Sequence, residues 1–251
     1  MSDPNTASVQ SLVDQFLAEE ELSVSPPGPC PYLADREMVS ECFQVEELAP
    51  DVYEALMNRG FRRNGGIVYR PRCAGCDECR QIRVPVADFA PSRSMRRVWR
   101  RNADLTVLVG PPRPSLEKWR LYRRYLEFEH NGTMSGTAEE FARFLYASPV
   151  HTEEIVYSLG ERMAGVSIAD RGPSSLSSVY MFFDPAHRRR SLGTYSILWE
   201  IDYCRRMGIP YYYLGYYVKG ARTMEYKGRF RPAELLREQR HWVTLQREAG
   251  R

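Results

Sequence analysis

Ser177-Ser-Val-Tyr-Met-Phe-Phe-Asp184-Pro-Ala-His187-Arg-Arg-Arg190-Ser-Leu-Gly-Thr194 decides how the chain folds. Residues 177–183 are rich in aromatic and apolar side chains and read as a strand, closed by Asp184 and Pro185. From Leu192 to Met207 the pattern is that of a helix, and Gly208 ends it. Between strand and helix stand Arg188, Arg189 and Arg190, followed by the small residues Ser191, Gly193 and Thr194. Small residues at a helix entry let its first amide groups approach a phosphate, and the arginines add charge.

Working outward, Glu154–Leu159 and Met163–Asp170 read as two earlier strands and Ile209–Tyr217 as a later one. The order strand–strand–strand–helix–strand predicts an α+β sheet with an antiparallel portion. A basic loop after the third strand and before the next helix is similar to the pyrophosphate loop of the acetyltransferase (GNAT) superfold. The expected organisation is an acetyltransferase-like domain over residues 101–251 and a smaller cysteine-containing region over residues 1–100.

Elsewhere, Val9, Leu12, Val13, Phe16 and Leu17 fall at helical spacing. Ser25-Pro-Pro-Gly-Pro29 admits neither helix nor central strand. Helices are predicted over Pro50–Arg59, Ser92–Asn102, Leu116–Glu129 with Ser115 as N-cap, and Thr137–Ala147 with a Thr137/Glu140 capping box. Ile67–Arg70 and Ile82–Val86 read as strands flanking a cysteine-rich turn.

Hydrophobic residues make up 43% of the 251, enough for a packed core. No apolar run approaches the roughly 20 residues of a membrane helix. The amino terminus carries acids and no basic residue through Glu21, the reverse of a secretory signal, so a cytoplasmic protein is expected. The net charge of +3 hides a segregation: residues 1–58 hold twelve acids and one arginine, and residues 59–101 hold twelve arginines and three acids. The cations are nearly all arginine, with lysine only at 118, 219 and 227. Arginine makes forked contacts with phosphate that lysine does not.

Cys73-x-x-Cys76-x-x-Cys79 brings three thiols onto one turn, and Cys30 can supply a fourth from a second loop. Zinc sites usually pair two C-x-x-C ligands, so this run resembles an iron–sulfur ligand set more closely, with zinc as the alternative. Redox-active or merely buried thiols are the plainer reading. Cys42 and Cys204 sit among apolar neighbours and read as core residues.

Arg93, Arg96, Arg97, Arg100 and Arg101 fall on one face of the predicted Ser92–Asn102 helix, leaving Met95, Val98 and Trp99 to anchor it. Five like charges repel unless something anionic lies against them, and an RNA backbone satisfies that need. The alternative is a face paired by the acids of residues 1–58.

Taken together, the chain resembles the arginyl-tRNA–protein transferase family, most closely its bacterial leucyltransferase branch. The resemblance runs from about Cys30 to Leu236. It is carried by Cys30-Pro-Tyr-Leu, Leu56-Met-Asn-Arg-Gly-Phe-Arg-Arg63, Tyr69-Arg-Pro-Arg-Cys-Ala-Gly-Cys-Asp-Glu-Cys-Arg80, Ser92-Arg-Ser-Met-Arg-Arg97 and His130-Asn-Gly-Thr-Met134. The more specific blocks are the opening stretch, Ser191-Leu-Gly-Thr-Tyr195, Tyr213-Leu-Gly-Tyr216 and Met224-Glu-Tyr-Lys-Gly-Arg-Phe-Arg-Pro232.

The resemblance implies a cytoplasmic N-degron enzyme. It would move leucine, or arginine in the eukaryotic branch, from its tRNA onto proteins that begin with Asp or Glu, with no nucleotide cofactor. Eukaryotic relatives bind iron–sulfur at a different cysteine spacing. An aminoacyl ester is already activated, so the amine needs chiefly to be neutral and aligned. On this reading Tyr180, Tyr213 and Tyr216 frame the cleft and meet the developing oxyanion, while Asp184 orients the incoming amine. Arg62, Arg63, Lys227 and Arg229 form a basic pocket for the acceptor's acidic side chain. The four histidines have no local partners of a catalytic kind and read as structural. Two other functions fit parts of the pattern: an acyl-CoA-dependent N-acyltransferase, which leaves the arginine stripe idle, and a non-catalytic RNA-binding metalloprotein, which leaves the acyl-transfer core idle.

Overall fold

A computed structural model describes residues 4–130, 136–237 and 241–246. The block His130–Met134 therefore lies almost wholly outside the described residues. The chain opens with α1 (Pro4–Glu19), short strands β1 (Ser23–Val24), β2 (Gly28–Pro29) and β3 (Glu37–Met38), β4 (Ser40–Gln44) and α2 (Pro50–Met57). β5 (Arg62–Asn64), β6 (Ile67–Pro71), β7 (Arg80–Pro85), α3 (Arg93–Arg101) and β8 (Thr106–Gly110) follow. Next come α4 (Leu116–His130), α5 (Ala138–Leu145), β9 (Thr152–Leu159), β10 (Arg162–Arg171) and β11 (Ser175–Phe183). A 3₁₀ turn over Pro185–Arg190 leads to α6 (Leu192–Arg206), β12 (Tyr211–Tyr217), α7 (Arg222–Glu225), β13 (Glu234–Leu236) and β14 (Trp242–Thr244).

The helix signals in the sequence do their expected physical jobs. Ser92 Oγ accepts from the Met95 amide at 3.3 Å, and Thr137 with Glu140 forms a reciprocal capping box. The Lys118 amide donates to Ser115 Oγ at 3.2 Å.

Two main sheets result. A four-stranded sheet runs β1–β4–β6–β5, and an eight-stranded sheet runs β14–β13–β7–β12–β11–β10–β9–β8. The expected division at residue 100 does not separate them. β7 lies antiparallel to β12, and Met95 of α3 is buried in the same core as α6. Hydrophobic spacing fixes which residues are buried, but not the order in which strands pair.

Helices cover both faces of the large sheet. Ile82, Leu176, Tyr212 and Leu214 pack with Ile197, Leu198 and Ile201 of α6. Val166, Ile168 and Phe182 pack with Leu121 of α4 and Phe141 of α5. With both faces covered, β10 is buried without a break from Ala164 to Asp170. The small sheet has its own core, where Val13, Ala55 and Leu56 meet Phe61 and Val68. Cys204 is fully buried against α6's partners, whereas Cys42 on β4 is only half-buried.

Candidate active site

β11 and β12 are parallel neighbours that part company. Their pairing is confined to Ser175 with Tyr211, Leu176 with Tyr212 and Ser177 with Tyr213. Beyond that point β11 continues beside β10, and β12 continues beside β7. A register shift between Tyr213 and Gly215 bends β12 and widens the split. The wedge opens into a chamber of about 450 Å³. Ser178 to Met181 and Leu214 to Tyr216 form its two edges, and Gly193 and Ser196 of α6 lie at its wall. Backbone of both strands borders this space, and two of its edge carbonyls, Ser178 and Tyr216, are taken by the side chains of Arg62 and Lys227.

Three cationic side chains line the chamber. Arg62 and Arg63 come from β5 of the small sheet, and Lys227 from a 3₁₀ turn over Tyr226–Arg229. The alternation of a strand sends the two arginines different ways. Arg63 makes a forked pair with Asp170 of β10, with both contacts at 2.8 Å and both side chains fully buried. It is therefore not a free cation, although its Nη1 is buried with no partner among the described residues.

Arg62 donates to Ser177 Oγ and to the Ser178 carbonyl at the mouth of the split, and no described carboxylate pairs with it. Gly215 makes room for it: a Cβ there would lie 3.1 Å from the guanidinium carbon, on backbone with φ of +85°. Lys227 is 9% exposed, and its Nζ donates to the Tyr216 carbonyl at 2.7 Å. Burial, and then the nearby Arg62 charge, push its pKa down to about 7, against a smaller opposing pull from Cys79. Arg62 is thus a buried cation with no described acid against it, and Lys227 adds a second charge only while it holds its proton, below about pH 7. Arg229 does not join them. A 3₁₀ turn rotates by about a third of a circle per residue. Two residues after Lys227, Arg229 is exposed and lines a separate cleft with Arg222 and Arg231.

The other expected catalytic groups divide similarly. Tyr180 faces the chamber, packed against Tyr122, Tyr125 and Phe144, and its hydroxyl bonds to no described group. Burial holds that hydroxyl protonated, well above the usual tyrosine range. Tyr216 also lines the chamber, but its hydroxyl donates to the Gly60 carbonyl at 2.7 Å, so its proton is committed to the scaffold. Tyr213 is likewise occupied, donating to Asn58 Oδ1 at 2.9 Å. Asp184 lies outside the chamber wall. It caps the 3₁₀ turn through the Ala186 amide at 3.0 Å and pairs with Arg124 at 3.1 Å. Among the described residues no histidine lines the chamber.

A basic surface lies on α3 and the 3₁₀ turn before α6. Arg93, Arg96, Arg97, Arg100 and Arg101 are all exposed on α3, and among the described residues none of them forms an ion pair. Two acids of residues 1–58 are taken up by other arginines: Asp14 pairs with Arg59, and Glu41 with Arg70 and Arg72. Arg101 donates to the Arg189 carbonyl, which brings exposed Arg188 and Arg189 alongside the helix. Arg190 is the exception in its run, clamped on Asp104 at 2.7 and 2.9 Å. It pins the turn, and a phosphate there would compete with Asp104 for it. Ser191 takes a left-handed conformation (φ +57°) and starts α6 without a side-chain cap. Thr194 is half-buried, while Gly193 lines the chamber and its missing Cβ leaves open space.

Cys73, Cys76 and Cys79 line a separate groove, and these three and Cys30 are free and part-exposed. Burial and then the charges of Cys30, Cys73 and Cys76 push the Cys79 thiol up to about 12. Four thiols are soft donors of the kind a thiophilic cation takes. Among the described residues, however, no three His, Cys, Asp or Glu side chains are drawn together closely enough to hold an ion.

Comparison with known proteins is decisive for the family. Residues 28–97 match the family described as "Arginine-tRNA-protein transferase, N terminus", and residues 117–237 match its "C terminus". The chain belongs to the arginine-tRNA-protein transferase family. It is 41% identical over 227 residues to the aspartate/glutamate leucyltransferase of Nitrosococcus oceani, covering 88% of this chain and 94% of that protein. It is 39% identical to the one from Pseudomonas fluorescens, with 91% and 98% covered. Among solved structures FemX is similar in fold, with a TM-score of 0.51 at 11% identity over 92% of this chain and 75% of FemX. This member of the transferase family is thus an enzyme with an acetyltransferase-like sheet. Its chamber also uses residues that the sequence reading did not single out. Tyr32, Tyr69, Tyr125, Phe144 and Gly215 line it from five different segments. Tyr32, Tyr69 and Gly215 sit inside the blocks that carry the family resemblance, and Gly215 also carried a local signal, a glycine within a strand.

Proposed function

We propose that this enzyme transfers leucine from leucyl-tRNA to the α-amine of proteins beginning with Asp or Glu, as a cytoplasmic step that marks them for degradation. The observation that carries the reading is the acid-free pair of buried basic side chains, Arg62 and Lys227, at the mouth of the β11–β12 split. A buried charge without a partner is costly, and an acidic side chain from the acceptor supplies the missing counter-charge. Arg63 Nη1 adds a donor without an acceptor at the same wall. The donor preference follows from the same inventory. No Asp or Glu lines the chamber, so an arginyl side chain would add a further cation to it, whereas leucine meets Ile197, Leu214 and Met181.

In the reaction, the acceptor's amine nitrogen bonds to the ester carbonyl carbon. The ester C–O bond then breaks, and the amine's released proton goes to the ribose oxygen that leaves. A free α-amino group has a pKa of about 7.7–8.0, and the adjacent Arg62 charge lowers it, which favours the neutral nucleophile. The Tyr180 hydroxyl, held protonated and unbonded, is the side-chain donor best placed for the oxyanion. Incubation with leucyl-tRNA, arginyl-tRNA or acetyl-CoA and an Asp-starting peptide, followed by mass measurement, tests the reading. A gain of one leucyl residue is expected. An acetylated peptide, or RNA binding without product, would favour the other two functions.

The exposed stripe on α3 supports tRNA as the carrier. Changing Arg97 and Arg100 to Gln is expected to weaken tRNA binding and to flatten the log–log salt dependence by about one for each phosphate no longer neutralised. Unchanged slopes would remove the stripe from the RNA surface. The Cys73-x-x-Cys76-x-x-Cys79 spacing, with Cys30, is the ground for an iron–sulfur cluster or zinc, which the four thiols would have to close upon to hold. Purified protein is expected to carry iron or zinc by elemental analysis, and Cys79→Ser to lose it. Metal-free protein that transfers leucine at full rate would leave the cysteines as plain thiols.

A further inference from the structure

A second cavity, of about 280 Å³, lies between α3 and α6, on a different face of α6 from the chamber. Its walls are apolar: Phe89, Pro91, Leu198, Ile201 and the indole of Trp99. Trp99 is 37% exposed, with its ring tilted on Tyr195 at 5.7 Å, so one face is supported and the side chain still reaches solvent. Arg96 and Arg100 stand at the rim. Arg96 donates to the Pro91 carbonyl at 2.6 Å, and neither pairs with an acid among the described residues. The one acid in the wall, Asp202, is bonded to Arg206 at 3.0 Å.

An apolar hollow ringed by unpaired arginines poorly fits an ordinary protein side chain, because the partner segment would have to bring its own acids to so dense a cationic surface. It fits unpaired nucleic acid, whose bases stack on aromatic faces while the flanking phosphates meet arginine. We propose that this cavity is a nucleobase site in which one unpaired base of the bound RNA lies on Trp99 between Arg96 and Arg100. Gly193, at the chamber wall, and Ile201, in this cavity, are eight residues apart on α6, roughly 12 Å along its axis. One tRNA therefore reaches both, and the site helps set where its charged end falls. The inference rests on the reading of tRNA as carrier.

The test compares full-length protein with Trp99→Ala and Trp99→Phe in titrations with uncharged tRNA and with a blunt RNA duplex that has no unpaired nucleotide. Trp99→Ala is expected to bind tRNA about tenfold more weakly, with Trp99→Phe nearer wild type, since any aromatic ring offers a stacking face. Duplex binding and the salt slope stay unchanged in both. Tryptophan emission should be quenched by tRNA in the wild type, and much less in Trp99→Phe, which keeps the test open if the alanine variant misfolds. Equal weakening for tRNA and duplex, or unchanged tRNA affinity and quenching, would overturn the base site. If leucine transfer from tRNA survives in that case, the transferase reading stands without it.

Discussion

Arg62→Ala is expected to cut kcat/KM for Asp- and Glu-starting peptides by about thirty-fold to several-thousand-fold, the equivalent of roughly 2–5 kcal/mol for losing one partner of a closed charge pair. The loss should be largest in KM, because Arg62 holds the acceptor's side chain and touches neither the ester nor the amine. Arg62→Lys keeps the charge but not the fork and should recover part of the loss. The Arg62 charge is also the second cause, after burial, of the depressed Lys227 pKa. Removing it lets Lys227 hold its proton to higher pH. In the wild type Lys227 is charged mainly below about 7, so acceptor KM should rise as pH climbs through that value, while the amine becomes a better nucleophile. In Arg62→Ala the KM rise should move to higher pH. A variant that loses activity equally in kcat and KM, with the pH profile unmoved, would mark Arg62 as scaffold and sink the acceptor pocket.

How much of this could be read in advance depends on how local each cause is. Ser92, Ser115 and Thr137 announce helices because a cap acts within three residues. The strand at Ser177–Phe183 and the helix after it are legible for the same reason. The order of strands is not. β7 belongs beside β12 because of contacts between residues well over a hundred positions apart, and nothing within β7 encodes its neighbour. The site follows the same rule. The arginine stripe is a helical face and was visible as spacing. Lys227 and Arg229, two positions apart, looked equivalent until a 3₁₀ turn sent one inward and the other out. Arg190 looked like its two neighbours until Asp104 claimed it. Asp184 looked catalytic at a strand end, yet the turn it caps needs its carboxylate.

Arg62 and Arg63 are the sharpest case, because adjacent residues of one type have different work, and the second large effect lies with Arg63. Its guanidinium and the Asp170 carboxylate are fully buried, joined by two contacts of 2.8 Å, and Thr152 Oγ1 donates to the same carboxylate at 2.8 Å. The pair fastens β5 of the small sheet to β10 of the large one, and so fixes the strand that presents Arg62 to the wedge. Asp170→Ala leaves a buried guanidinium with no counter-charge, and is expected to cost about 3–5 kcal/mol, a fall of roughly 6–20 °C in thermal midpoint for a chain of this size. Replacing both partners, as in Arg63→Met with Asp170→Leu, removes the charges together and should return most of that stability, since the pair itself contributes little beyond what matched apolar groups would. Transfer activity in the double variant then separates two roles for Arg63. If transfer returns with the fold, the pair is a fastener and Arg62 with Lys227 makes the acceptor pocket alone. If stability returns while acceptor KM stays high, the unpartnered Nη1 of Arg63 is a third donor to the acceptor. A double variant no more stable than Asp170→Ala would show that the two sheets depend on this charge pair for more than its electrostatics.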